Sequence, residues 1–171
     1  MLKTVLRRVV MIALSLMMLI GVLLGVSSAP VAVQAQATPQ TATLAALRVA
    51  YHPEATPKYD RVVFEFKGKL PESIRVEYVS RLIADGSGAV VPIKGKGILK
   101  LVISPAVAHT DAGKATVRAR IGYDLPLVKE VVRSGDFEGV VSYGIGVAQK
   151  TEIRFMTLTN PTRIVIDFLR V

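Results

Sequence analysis

The side chains able to make and break bonds are few and scattered. The chain holds two histidines, His52 and His109, and no cysteine. Neither histidine belongs to an H-E-x-x-H helix, so the usual nitrogen and sulfur ligand sets for zinc cannot be assembled, and no metal or other cofactor is expected. No G-x-S-x-G elbow presents a serine nucleophile. Asp60, Asp136, Glu138 and Asp167 supply carboxylates, and a pair of them flanking a glycosidic bond would make a glycan-modifying enzyme. That chemistry needs a defined separation, which position along the chain does not set. Structural roles are favoured instead: Asp136 ends or caps a turn between Gly135 and Phe137, and Asp167 meets a cross-strand cation from mid-strand. His109, in the polar turn His109-Thr110-Asp111-Ala112-Gly113, reads as structural or solvent-exposed. The expectation is a chain that binds and does not catalyse.

Residues suited to binding are mostly basic. Lys and Arg number 22 against 13 Asp and Glu, for a net charge of +9. The excess is local, because Lys94, Lys96, Lys100, Lys114, Arg118 and Arg120 face only Asp111 between residues 94 and 120. A patch of this kind concentrates anionic partners in a salt-dependent way; a solvated strand face that keeps the protein soluble is an equal alternative. Nucleic acid is not expected, since the aromatic residues of a single-strand binder do not interleave the basic ones. Asp60, Arg61, Arg163 and Asp167 form a second set. Arg163 and Asp167 lie four apart on one strand face with Val165 between them, so each must look to a neighbouring strand. That arrangement makes either a polar groove or ordinary cross-strand ion pairs, with the ion pairs favoured. Tyr59, Tyr123 and Tyr143 offer sugar-stacking platforms, against packing in the core or at its rim.

Strands must position these groups. In Arg61-Val62-Val63-Phe64-Glu65-Phe66, Val62, Phe64 and Phe66 share an inward face, opposite Arg61, Val63 and Glu65. Ile74, Val76 and Tyr78 alternate with Arg75 and Glu77, and Leu99, Leu101 and Ile103 leave Lys100 outside. Asp85-Gly86-Ser87-Gly88 supplies a turn. From Lys114 to Tyr123, Val117, Ala119, Ile121 and Tyr123 alternate with a face carrying Lys114, Arg118 and Arg120, which would join those cations into a stripe. Pro126 precedes a possible short helix over 127–132. Val141, Tyr143, Ile145 and Val147 alternate with small residues including Gly144 and Gly146, predicting a strand whose outer face is closely approached or kinked. Ile153, Phe155 and Thr157 lie on the next strand, and Ile164, Ile166 and Phe168 point inward from the last. About seven short strands with turns between them predict an all-β antiparallel sandwich.

A leader precedes this domain. Lys3, Arg7 and Arg8 form a basic region, an uncharged apolar run extends from Val9 to Val26, and Ala35-Gln36-Ala37 is an A-x-A cleavage site. Residues 1–37 are therefore a signal peptide or, because the run approaches the roughly 20 residues of a bilayer span, an uncleaved anchor. In either case the remainder is exported, and any membrane association is through this segment alone. Lipid attachment through a modified cysteine is excluded. Residues 38–45 end a stretch rich in Ala, Thr, Gln, Pro and Ser that reads as a flexible tether, leaving 46–171 for one domain.

Three blocks give this domain a family likeness. They are Tyr59-Asp60-Arg61-Val62-Val63-Phe64-Glu65-Phe66, Gly135-Asp136-Phe137-Glu138-Gly139-Val140-Val141, and the tail from Thr157 to Phe168 with its Asn160-Pro161 turn and Arg163-Ile164-Val165-Ile166-Asp167-Phe168 strand. In this order, over roughly residues 46–170, they resemble the AMIN-like domains of bacterial cell-envelope proteins. AMIN domains proper stand at the N-termini of peptidoglycan amidases, secretins and other periplasmic proteins, where they localise by binding cell wall. The resemblance implies a β-sandwich and a noncatalytic wall-associated module, present here without a following amidase domain. Peptidoglycan or an associated anionic polymer is the implied partner. A protein-interaction module of an envelope complex, accepting a partner strand at a sheet edge, is the alternative.

Overall fold

The computed structural model describes residues 41–170. The expected leader with its cleavage site, and tether residues 38–40, lie outside the described residues. Ten strands, and no helix among the described residues, follow in the order β1 (Ala42–His52), β2 (Tyr59–Lys67), β3 (Ser73–Val79), β4 (Gly97–Ser104), β5 (Ala106–Val107), β6 (Arg120–Gly122), β7 (Val128–Phe137), β8 (Val140–Val147), β9 (Ile153–Leu158) and β10 (Thr162–Leu169). Sheet A runs β5-β1-β2-β10-β9 and sheet B runs β3-β4-β8-β7-β6. Every named pairing is antiparallel except the short parallel contact of β1 with β5.

The alternation read from sequence sets which sides meet. Val62, Phe64 and Phe66 of β2 and Ile164, Ile166 and Phe168 of β10 are buried against Leu99, Leu101 and Ile103 of β4 and Val141, Tyr143, Ile145 and Val147 of β8. Burying apolar surface at about 25 cal/mol per Å² drives the two faces together. At the centre the rings of Phe64 and Tyr143 lie 5.1 Å apart at 60°, a tilted pair favoured by the ring quadrupoles. Tyr143 is thus core and not a sugar platform; burial pushes its phenol well above the ordinary range. In β1 a bulge between Leu44 and Ala46 changes parity, so that Leu44 and then Leu47 and Val49 all reach the core.

Three expectations are corrected. The stretch expected as a helix over 127–132 enters β7, which begins at Val128. Its β-branched valines fit a strand, and the Leu127 and Val128 amides, which would open a helix, are taken by Asp60 across the sandwich at 2.8 and 2.7 Å. The tether ends sooner than expected, since Ala42–Leu44 already pair within β1, against β5 and β2. The strand expected from Lys114 to Tyr123 shrinks to β6, because the chain before it closes a small loop. There Thr110 N donates to the Lys114 carbonyl at 2.8 Å, and Lys114 N donates to Thr110 Oγ1 at 3.3 Å.

Candidate functional site

On the outer face of sheet A the register places Ala50, Arg61, Asp167 and Arg154 in one cross-strand row. Asp167 is buried. Arg61 Nε donates to Asp167 Oδ1 at 2.6 Å and its Nη2 to Oδ2 at 2.9 Å, while Arg154 adds Nε and Nη2 donors to Oδ2 at 3.0 and 2.9 Å. Burial pushes the Asp167 carboxyl up, but the hydrogen bonds and charges of the two guanidiniums together outweigh it and hold the group below its ordinary value. The Asp167 hydrogen bond in turn raises Arg61. Both guanidiniums also lie over the Tyr59 ring, at 5.1 and 5.2 Å, and His52 stacks on that ring at 4.6 Å. Tyr59 is already engaged by its neighbours. Nearby, Arg48 pairs with Glu65, and Arg163 donates to the Pro161 carbonyl at 3.3 Å.

The outer face of sheet B is divided. Over one half lies the connection between β3 and β4. A Cβ on Gly146 would sit 1.9 Å from the Lys94 carbonyl oxygen, and one on Gly144 would sit 2.5 Å from Leu82; the glycines are where this segment crosses the sheet. Glu130, buried beneath it, accepts from Lys94 N at 2.9 Å and from Arg120 Nη1 at 2.8 Å, and Arg120 Nη2 reaches the Pro92 carbonyl at 2.8 Å. Arg120 therefore clamps the crossing segment.

The other half is an open groove of about 440 Å³, within the size range of small-molecule sites. Its floor follows the row Arg75, Val102, Ser142 and Gly135 across four strands. Lys100 and Asp85 line one end, paired at 3.2 Å. Phe137 and Val140 line the other. Ser142 Oγ, on the outward side of β8, is buried without a hydrogen-bond partner among the described residues, and Phe137 is 74% exposed.

That aromatic is held out by a braced hairpin. Glu138 and Gly139, with φ of 47° and 75°, make a two-residue turn between the paired Phe137 and Val140, the geometry whose twist suits a hairpin. The Gly139 carbonyl accepts from Ala106 N at 2.8 Å. Asp136 accepts from Ala108 N at 3.0 Å, from Arg133 at 2.9 Å, and lies 2.9 Å from His109 Nδ1. With the hairpin tied on its inner side, the Phe137 side chain leaves the backbone on the outer face of sheet B.

The basic residues expected as a stripe are not gathered. Lys100 pairs with Asp85, Lys114 belongs to the loop after His109, Arg118 is exposed before β6, and only Lys94 and Lys96, exposed on the crossing segment, lie near Arg120, which clamps that segment through Pro92 and Glu130. Asp60 faces the core, tying β2 to β7, and Arg61 and Asp167 pair with each other. The four carboxylates weighed for glycan cleavage do not all share a site: Asp60 lies inside and Asp167 outside sheet A, while Asp136 and Glu138 both line the sheet B groove at the hairpin, where Asp136 is engaged by Arg133 and the Ala108 amide. Sequence reasoning missed Arg75, Phe137 and Ser142 as a group. The Glu138-Gly139 pair between Phe137 and Val140 is the signal that would have placed Phe137 beside a tight turn.

No curated protein matches the sequence. The model of the AMIN-like domain matches residues 42–170. The match takes in every strand from β1 to β10, the Asp60 staple, the Arg61–Asp167 pair and the Phe137 hairpin, and on that extent the chain belongs to the AMIN-like domain family.

Proposed function

We propose that this chain is an exported, noncatalytic module of the cell envelope that binds peptidoglycan, or a polymer attached to it, through the open groove on sheet B. Family membership supports the envelope setting, and the basic, apolar leader with its A-x-A site supports export. The observation that carries the reading is Phe137, an exposed aromatic on a braced hairpin beside a groove that also holds the Arg75 guanidinium. An aromatic face packs against the C–H face of a pyranose, while charged groups select its polar edge. This differs from the expected basic stripe, which the fold divides between the crossing segment with Arg120, the loop after His109 and β4.

The test is co-sedimentation of the exported chain with intact sacculi and with sacculi stripped of anionic polymers, over a salt series. Binding to both, lost in Phe137→Ser, is the expected result and assigns the affinity to the wall itself. Binding lost on stripping or at moderate salt assigns it to the attached polymers. No binding to either preparation removes the reading. A second reading, a strand-accepting protein-interaction module, is favoured by β9, an edge strand among the described residues, where Phe155 and Leu158 are 42% and 37% exposed. A partner captured with little salt dependence, and lost when proline is placed in β9, would establish it.

A further inference from the structure

We infer that the groove on sheet B selects a sugar carrying a free carboxylate, with Arg75 as the residue that reads the charge. The inference rests on the wall-binding reading and narrows its ligand. Charges lining the groove are Arg75, Lys100, Asp85, Asp136 and Glu138. Lys100 is paired with Asp85. Asp136 is held by Arg133, His109 and the Ala108 amide on the inner side of the hairpin. Glu138 stands on the exposed turn. Arg75 alone among the lining cations has no carboxylate within ion-pair distance among the described residues, and it is exposed on β3. A planar guanidinium with two parallel donors matches a carboxylate better than it matches a sugar hydroxyl.

The rest of the row fits the body of such a sugar. Val102 and Val140 offer apolar surface, and Phe137 offers a ring face. Ser142 Oγ lies in the floor, buried and unpartnered; a buried polar group left in that state costs about 1–3 kcal/mol, which a hydroxyl or acetamido group settling over it, with small shifts of the covering side chains, would relieve. Arg75 and Gly135 end the four-strand row, and the Asp85 carboxylate covers the Gly135 end, so a ligand lying along the open part meets the Arg75 guanidinium and the Val102 side chain above the buried Ser142, with the aromatic of the next row at its flank. Two sources share this chemistry, a uronate and a sugar whose lactyl ether carboxylate is free of any peptide amide.

The experiment titrates the full exported chain, by NMR, with two pairs of sugars: glucuronic acid against glucose, and N-acetylmuramic acid against N-acetylglucosamine. At least one acid is expected to bind about tenfold more tightly than its neutral partner, and the pair that shows the preference identifies the source. Arg75→Gln should equalise that pair, and Arg75→Lys should keep only part of the preference. Arg163→Gln, on the other sheet, should leave it intact, and Phe137→Ser should weaken both members equally. Equal affinity within both pairs, or a preference that survives Arg75→Gln, overturns the inference. Sacculus binding without acid preference would do so while leaving the wall-binding reading standing; acid preference without sacculus binding would do the reverse.

Discussion

On the outer face of sheet A, one buried carboxylate draws two arginines onto itself and those arginines in turn cover Tyr59, so three charges and an aromatic ring satisfy one another. On the outer face of sheet B, similar residue types are left apart. Among the described residues Arg75 has no carboxylate, Phe137 has no covering group, and Ser142 has no hydrogen-bond partner. The same alternation of strands built both faces. The difference is local: sheet A brings Asp167 between Arg61 and Arg154 in one row, whereas in sheet B the charged crossing segment covers the glycine half and stops short of the hairpin. A face that has satisfied its own charges contributes to folding, and a face that has not is available for a ligand.

The covered half of sheet B gives the largest predicted effect. Gly146→Ala would place a methyl into the Lys94 carbonyl, where neither backbone yields without breaking the Glu130 and Arg120 clamp. A loss of about 3 kcal/mol in urea unfolding is expected; a loss below about 1 kcal/mol would mean that the crossing segment is loosely held. On sheet A, Arg61→Ala leaves buried Asp167 with Arg154 alone and should cost about 2 kcal/mol. Arg154→Ala, removing a half-exposed side chain, should cost about 1 kcal/mol or less. Reversal of that order would place the anchoring charge on the wrong strand.

Acid sharpens the same contrast. The folded Asp167 carboxyl titrates below its ordinary value, so its contribution is complete above the unfolded value near 3.9 and is lost as pH falls through the folded value. The stability gap between the native chain and Asp167→Asn should therefore be full at pH 7 and shrink below about pH 4, as read from urea midpoints. A gap independent of pH would show that the carboxylate charge is not what holds the arginines. The smallest stability effect belongs to the open half. Phe137→Ser should change unfolding by less than about 0.5 kcal/mol while abolishing sacculus binding, and a large stability loss would make Phe137 a packing residue.

The family blocks look different once their partners are known. Tyr59-Asp60-Arg61 contributes a ring covered by arginines, a carboxylate that caps the Leu127 and Val128 amides, and one half of the Asp167 pair. Its membership in a motif reflects folding. The block around Phe137 does both jobs, since Asp136 braces the hairpin and Phe137 faces solvent. Asp60 was legible as a chemically able group but not as an inward one, although it shares parity with Val62, Phe64 and Phe66. A carboxylate facing the core is tolerable only where amides await it, and those amides come from residues far along the chain.

By itself, the sequence determined the sandwich class, the inward face of each well-alternating strand, and the close approach at Gly144 and Gly146, because these depend on period-two patterning and on side-chain size at single positions. It could not distinguish helix from strand at 127–132, where a proline start and β-branched residues disagree and the contact with Asp60 decides. Nor could it show that the basic residues scatter while Arg75, Ser142 and Phe137 gather. Those three lie on three different strands, and only the register of β3 on β4, β4 on β8 and β8 on β7 brings them to one groove. Alternation states which side a residue takes; cross-strand register, set by the packing of the whole sandwich, states whom it meets there.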